Sequence, residues 1–293
     1  MSKLSKQLVT LARQSGGSFK TVSDRSKIAD RFAARMAKLN IQVRDVKHLK
    51  INHIELYIKS RQFENISKRT LQNEMSAIRA IFSIAGRSKI ADPQHEKLSN
   101  SALGLSDASR DGTKIAINNE RYLAALSYIQ KHDIGAAAAM QLARVMGLRT
   151  EEAVQSAKSL ATWRAALLRN DIRLRVVFGT KGGRPRDTTI INREQVLQAV
   201  NYALKYANTH NGKLIDKPNL QSAIDKYRNT VRNAGLTGKY APHSLRYAWA
   251  VDALEYHKSS GMSDNEARAM VSMDLGHGDG RGRYVERIYS KVE

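Results

Sequence analysis

The sequence predicts a mainly α protein with one small β-hairpin, an α+β chain in two basic domains. Three observations predict it. Apolar residues recur at steps of three and four along most of the chain. The period turns strand-like once, between Ile172 and Ile191. One stretch of polar and small residues, 99–114, interrupts the helical pattern. The expected layout is a helical bundle at 1–105, a linker reaching about residue 116, and a second domain at 117–293.

The first 92 residues contain none of the four prolines, so nothing breaks the helices there. Leu8 and Leu11 mark the first helix. Ile28, Phe32, Met36 and Leu39 step along a second. Ile51, Ile54, Leu56, Tyr57 and Ile58 mark a third. Leu71, Met75, Ile78, Ile81 and Phe82 give a fourth, which Gly86 ends.

Beyond the linker, helices are expected at about 119–131 and 134–146, the latter ending at Gly147, and as one element over 151–168. Ile172 to Phe178 is a strand. Gly179-Thr180-Lys181-Gly182-Gly183-Arg184-Pro185-Arg186 is a turn, and Asp187 to Ile191 is the returning strand. Helices follow at 193–208, 219–234 and from Pro242 to about Lys258. Ser263 with Glu266 three residues on reads as a capping box for the next helix, which ends at Gly276. A last short helix is expected over 283–292.

Charge narrows the function. The 293 residues carry 49 Lys and Arg against 27 Asp and Glu, a formal net charge of +22. Residues 1–100 hold 20 basic and 8 acidic side chains, so both halves are basic. Such a chain repels itself and suits a polyanion, nucleic acid before an anionic membrane surface. With 42% apolar residues it can bury a core. No apolar run is long enough to span a bilayer, and the start lacks the apolar centre of a signal peptide. The absence of Cys excludes disulfides, thiolate metal sites and a Cys nucleophile, and it fits a cytoplasmic setting.

Five places could carry chemistry, each with an ordinary reading of its own. Arg149 follows a helix-ending Gly147, where a guanidinium fork can take two phosphate oxygens or simply sit on the surface. Lys181 at the hairpin tip could protonate a leaving oxygen or be a solvated loop residue; Arg184 and Arg186 beside it suggest contact with a polyanion backbone. His243 and Arg246 share a helix face. His277 follows a helix stop that would expose its ring. Tyr284 and Tyr289 lie among Arg281, Arg283 and Arg287. A zinc site from His243, His257 and His277 fits no common ligand spacing.

The order of these places is specific where each alone is not. Gly147-Leu148-Arg149 with Glu152, then Lys181, then Ala241-Pro242-His243-Ser244-Leu245-Arg246, then Leu275-Gly276-His277, then Arg287-Ile288-Tyr289-Ser290, resembles the tyrosine recombinase (phage integrase) family over about 117–293. The resemblance implies that the first bundle is a core-binding domain and the rest a catalytic domain. It implies a site-specific DNA recombinase that cuts and reseals strands through a 3′-phosphotyrosine, serving integration or excision of a mobile element of bacterial or phage origin. Arg149 and Arg246 would clamp the scissile phosphate and Tyr289 would attack it. His243 would assist the proton, His277 would hydrogen-bond the phosphate, and Lys181 would protonate the departing 5′ oxygen. Glu152 would orient Arg149. Tyr289 comes twelve positions after His277, longer than the family usually shows, so Tyr284 stands as the rival nucleophile. Arg184, Arg186, Arg283 and Arg287 would contact DNA. The implied partners are double-stranded DNA at specific sites, a homotetramer on two such sites, and accessory DNA-bending or directionality proteins, with no metal or other cofactor and no membrane. The alternatives are a type IB topoisomerase-like relaxing enzyme and a non-catalytic DNA-binding protein.

Overall fold

Hydroxyl caps start three helices of the first unit. The side chains of Ser2, Ser18 and Ser67 accept the backbone N–H three residues on, satisfying donors that a helix start leaves open. They open α1 (Lys3–Gln14), α2 (Phe19–Lys38) and α4 (Lys68–Ile84), with α3 (Ile51–Phe63) between and a short α5 (Ser88–Ala91) after. The computed structural model describes residues 1–289, and they form two compact units that divide after Arg110. The predicted continuation of the last helix to 292 lies outside the described residues.

In the first unit Phe32, Met36, Tyr57, Ile58, Met75 and Phe82 fill one core. A carboxylate lies within it. Glu74, 1% exposed, receives the Tyr57 hydroxyl at 2.7 Å, Arg31 at 2.6 Å and Arg61 at 3.0 Å.

The polar stretch predicted to be a linker from residue 99 is partly core. Leu98, Leu103 and Leu105 are buried against the first bundle. Its carbonyls find partners outside any ladder: Gln62 donates to Leu103 O, Gln72 to Leu105 O and Arg79 to Leu98 O. Composition hid this because side-chain donors replace secondary structure there.

The second unit builds around α7 (Ile134–Met146), whose Ala136–Ala139 run is wholly buried. It packs on α6 (Asn119–His132), on α10 (Arg193–Asn208) and on α12 (His243–Ser259). The single helix expected at 151–168 is instead α8 (Thr150–Gln155), a 3₁₀ turn at Ser156–Ser159, and α9 (Leu160–Leu168). Ser156 donates its hydroxyl back to Ala153 O, a local competitor of the helical ladder. Strands β1 (Arg173–Val176) and β2 (Arg186–Thr189) pair antiparallel, Arg173 opposite Thr189 and Val176 opposite Arg186. Next come α11 (Leu220–Asn233), α13 (Asp264–Asp274) with the Ser263–Glu266 capping box in place, and α14 (Gly282–Tyr289). A small separate core of Trp249, Val271, Leu275, Val285 and Ile288 seats α14 against α12 and α13. Among the described residues no helix is long and apolar enough to cross a membrane.

Candidate active site

Four chain segments meet around Glu152. Gly147 ends α7 with φ +59°, and the Trp249 ring lies 2.6 Å from where a Cβ would be, so only glycine serves there. The turn leaves Arg149 as N-cap of α8. Glu152, 1% exposed, accepts the Arg149 backbone N–H at 2.8 Å and its Nη1 at 2.6 Å. Arg186 donates Nε to one Glu152 oxygen at 3.2 Å and Nη2 to the other at 2.7 Å. Arg246 is fully buried, with Nη1 3.8 Å from the same carboxylate.

Backbone carbonyls take most of the remaining donors. Gly147 O accepts from Arg246 Nη1 and Arg186 Nη2, and Leu275 O accepts from Arg246 Nη2 and, at 2.8 Å, from Arg149 Nη2. Arg246 Nε is buried with no hydrogen-bond partner among the described residues. Three guanidinium groups thus share one carboxylate, an excess of two positive charges in a water-poor place.

Burial first, and that excess second, sets the pKa directions. Burial alone would raise the Glu152 carboxyl, but Arg186, with Arg246 and Arg149, holds it at about 2. Burial and then the neighbouring Arg186 push Arg246 down to about 10. His243, at the start of α12, is lowered to about 4 by burial and then by Arg246 and Arg149. His277 is lowered to about 3 by the same causes. Both imidazoles are therefore neutral at pH 7.

Tyr289 joins this group. Its hydroxyl lies 3.0 Å from His277 Nε2, and its ring is 2% exposed, set 4.6 Å from Tyr247 and 6.2 Å from His243 between ring centroids. Tyr284 is 39% exposed and meets His277 edge-on, with no hydroxyl contact to it. Arg149, Lys181, Arg184 and His277 line one open cleft of this unit, with exposed Lys181 on the 3₁₀ turn between the strands. His277 is half-buried rather than exposed by the helix stop, because its ring lies between Tyr284 and Tyr289.

Arg186 departs from the sequence expectation, which puts it with Arg184 on a DNA-facing loop. It is 5% exposed, because it opens β2 and is drawn inward by the buried Glu152 carboxylate, while Arg184 on the preceding turn faces solvent. Arg283 and Arg287 are exposed, and Arg287 pairs with Asp111 at 2.6 Å. Sequence reasoning also missed Asp274, fully buried at the end of α13, with its partners Arg173 and His257. A signal existed for Asp274. A carboxylate is unfavourable in the last turn of a helix, where the dipole is negative.

Comparisons with known proteins place the chain in a family. A family model described as "Integrase" matches residues 104–252, just over half of the chain, and one described as "Phage integrase, N-terminal" matches residues 1–91. The chain belongs to the phage integrase family. It is a tyrosine-type site-specific DNA recombinase. The matched stretch of this integrase contains Arg149, Lys181, His243 and Arg246 and stops before His277 and Tyr289. Three solved structures share its fold. A lambda integrase tetramer bound to a Holliday junction is 16% identical, covering 99% of this chain and 79% of that one, with a TM-score of 0.57. The Tn1549 transposon integrase in complex with transposon right end DNA is 14% identical, covering 95% and 92%, with a TM-score of 0.57. XerH site-specific recombinase bound to a palindromic difH substrate is 16% identical, covering 96% and 81%, with a TM-score of 0.56. No curated protein sequence matches the chain.

Proposed function

We propose that this integrase cuts and rejoins DNA through a covalent 3′-phosphotyrosyl link on Tyr289, at a site made by Arg149, Lys181, His243, Arg246 and His277. The observation that carries the reading is the 3.0 Å contact between the Tyr289 hydroxyl and His277 Nε2 beside a cluster with two uncompensated positive charges. A scissile phosphate entering the cleft supplies the missing anion. Arg149 and Arg246 stabilise the charge that grows on its non-bridging oxygens. The phenol oxygen bonds to phosphorus as the P–O5′ bond breaks. The Tyr289 proton passes to a neutral imidazole. The family resemblance gives that role to His243, but the short contact favours His277 over the more distant His243. Once the phosphate is bound, its charge offsets the arginines that depress the imidazoles, and their basicity rises. Lys181 on its exposed turn protonates the departing O5′. Religation reverses these steps with a second DNA end, so bond energy is kept without a cofactor.

The first unit, residues 1 to about 105, is proposed as the core-binding domain and the second as the catalytic domain. A homotetramer on two DNA sites is the assembly that strand exchange requires. A nicked duplex that loses its 5′ fragment after cleavage tests the chemistry by trapping the covalent complex. Peptide mapping should place the DNA on Tyr289. Tyr289→Phe should form no adduct while Tyr284→Phe still does. The opposite pattern would move the nucleophile to Tyr284, and adducts from both variants would refute a tyrosine nucleophile at either position. Strand exchange between two marked sites, against relaxation of any plasmid, separates the recombinase from a topoisomerase.

A further inference from the structure

Asp274 is a buried charge in an unfavourable place. It is the last residue of α13 and is fully buried, so both the helix dipole and desolvation oppose its carboxylate. Two partners reach in from other elements to hold it. Arg173 of β1 donates Nη2 to Oδ1 at 2.5 Å, and His257 of α12 places Nε2 3.4 Å from Oδ2. Arg173 also donates to Asp187 O at 3.3 Å, which fixes its own direction across the hairpin.

The backbone that this carboxylate pins is the backbone that orients the arginines. Asp274 O accepts from Arg186 Nη1, and the next carbonyl, Leu275 O, accepts from both Arg149 and Arg246. Gly276 follows with φ +66°. A Cβ there would meet the Arg186 side chain at 2.9 Å and lie 3.7 Å from Arg149 Nη1, so the peptide runs directly over the cluster. Two consecutive carbonyls therefore set the directions of all three guanidinium groups around Glu152. A shift of this peptide would move the phosphate clamp as a unit.

We infer that Asp274, held by Arg173 and His257, is a positioning residue that fixes the Asp274–Leu275 carbonyls and through them aims Arg149 and Arg246 at the scissile phosphate. The inference rests on the proposed role of those two arginines. Asp274 itself reaches no reacting atom.

The test compares two nicked duplexes under single-turnover conditions with enzyme in excess. One carries the ordinary scissile phosphate and the other a methylphosphonate there, which lacks the charge that the arginines neutralise. In Asp274→Asn the cleavage-rate ratio of phosphodiester to methylphosphonate should fall about tenfold, the lower end expected for loss of a supporting hydrogen-bond partner. DNA affinity, measured by fluorescence anisotropy, should stay within about twofold, because most phosphate contacts lie elsewhere on the duplex. Arg173→Gln leaves Asp274 in place but loosens its carboxylate, and it should move the ratio the same way by less. It keeps the question open to measurement if Asp274→Asn does not fold. A ratio unchanged in both variants, whether both rates fall together or neither falls, would overturn the inference. Failure of the underlying chemistry reads differently: the unsubstituted protein would then give no Tyr289 adduct on the ordinary duplex.

Discussion

The two units each bury a glutamate among arginines, and the two clusters are built for different ends. Glu74 takes the Tyr57 hydroxyl and two guanidinium groups. One of these, Arg61, is shared with Glu64, which also pairs with Arg35. Three cations meet two anions there, and Arg31 keeps 44% of its side chain in water. Among the described residues, Glu152 meets three arginines with no second carboxylate on them, and Arg246 keeps a buried donor without a partner. Buried ion pairs occur in both. Among the described residues, excess positive charge, an open donor and a neighbouring phenol occur together only at Glu152. The first cluster is complete as it stands, whereas the second is completed by an anion.

The largest effect should come from exchanging a planar donor fork for a point charge in each cluster. Arg149→Lys keeps the charge but loses the fork that spans Glu152 Oε1 and Leu275 O. Single-turnover cleavage should slow by about 10²–10³, the range for removing one preorganised donor of developing charge. Arg61→Lys should do the reverse, lowering the thermal midpoint while leaving cleavage by the folded fraction unchanged. Equal catalytic loss in both variants would erase the distinction between the clusters.

Removing the carboxylates should sharpen it. Glu74→Gln takes the shared carboxylate from Arg31 and Arg61, which keep water and Glu64 as partners, and should cost about 2 kcal/mol, as loss of charge-assisted hydrogen bonds does. Glu152→Gln strands three guanidinium groups, but an anion can replace the lost charge. Added pyrophosphate should therefore stabilise Glu152→Gln more than it stabilises the unsubstituted protein. Its effect on Glu74→Gln should match that on the unsubstituted protein. Thermal melts with and without pyrophosphate read both. Equal increments across the three proteins would mean that the Glu152 cluster does not accept an anion.

Much of the fold and of the site is legible in the sequence, for identifiable reasons. Helix starts and stops follow local chemistry: the Ser263–Glu266 box and the left-handed Gly147 are where spacing puts them. Arg149, His243, Arg246, His277 and Tyr289 are legible through their order along the chain. What fails depends on long-range partners. Residues 99–114 look like a linker because Gln62, Gln72 and Arg79 supply the hydrogen bonds of its first residues from far away in sequence. Arg184 and Arg186 look alike in a basic turn, yet Arg184 stays on the turn in solvent while Arg186 opens β2 and pairs with the buried Glu152. Asp274 carries no motif, and its meaning comes from Arg173, 101 residues away.

The smallest effect is pH dependence, and its sign follows from the two imidazoles. Unfolded histidine titrates near 6.5, whereas His243 and His277 are lowered to about 4 and about 3 in the anion-free fold. Between those values the unfolded chain binds more protons, so stability is fully present above pH 6.5 and falls as pH drops towards 4. Glu74 is also lowered, burial opposing and Arg61 prevailing, but its contribution is lost only below about 4.5, where its unfolded carboxyl begins to titrate. Stability lost between pH 6.5 and 4.5 thus reports on the Glu152 site, with His53 of the first unit, lowered by its own burial, acting in the same direction. His277→Gln should remove on the order of 1 kcal/mol of that loss, since one pKa unit is worth about 1.4 kcal/mol and a half-buried ring is partly screened. Saturating DNA should partly flatten the same window in the unsubstituted protein, because a bound phosphate offsets the arginine charge that adds to burial in keeping the imidazoles neutral. A melting profile over pH 4.5–6.5 that DNA leaves unchanged would separate the histidines from the phosphate, and with them the feature that distinguishes the second cluster from the first.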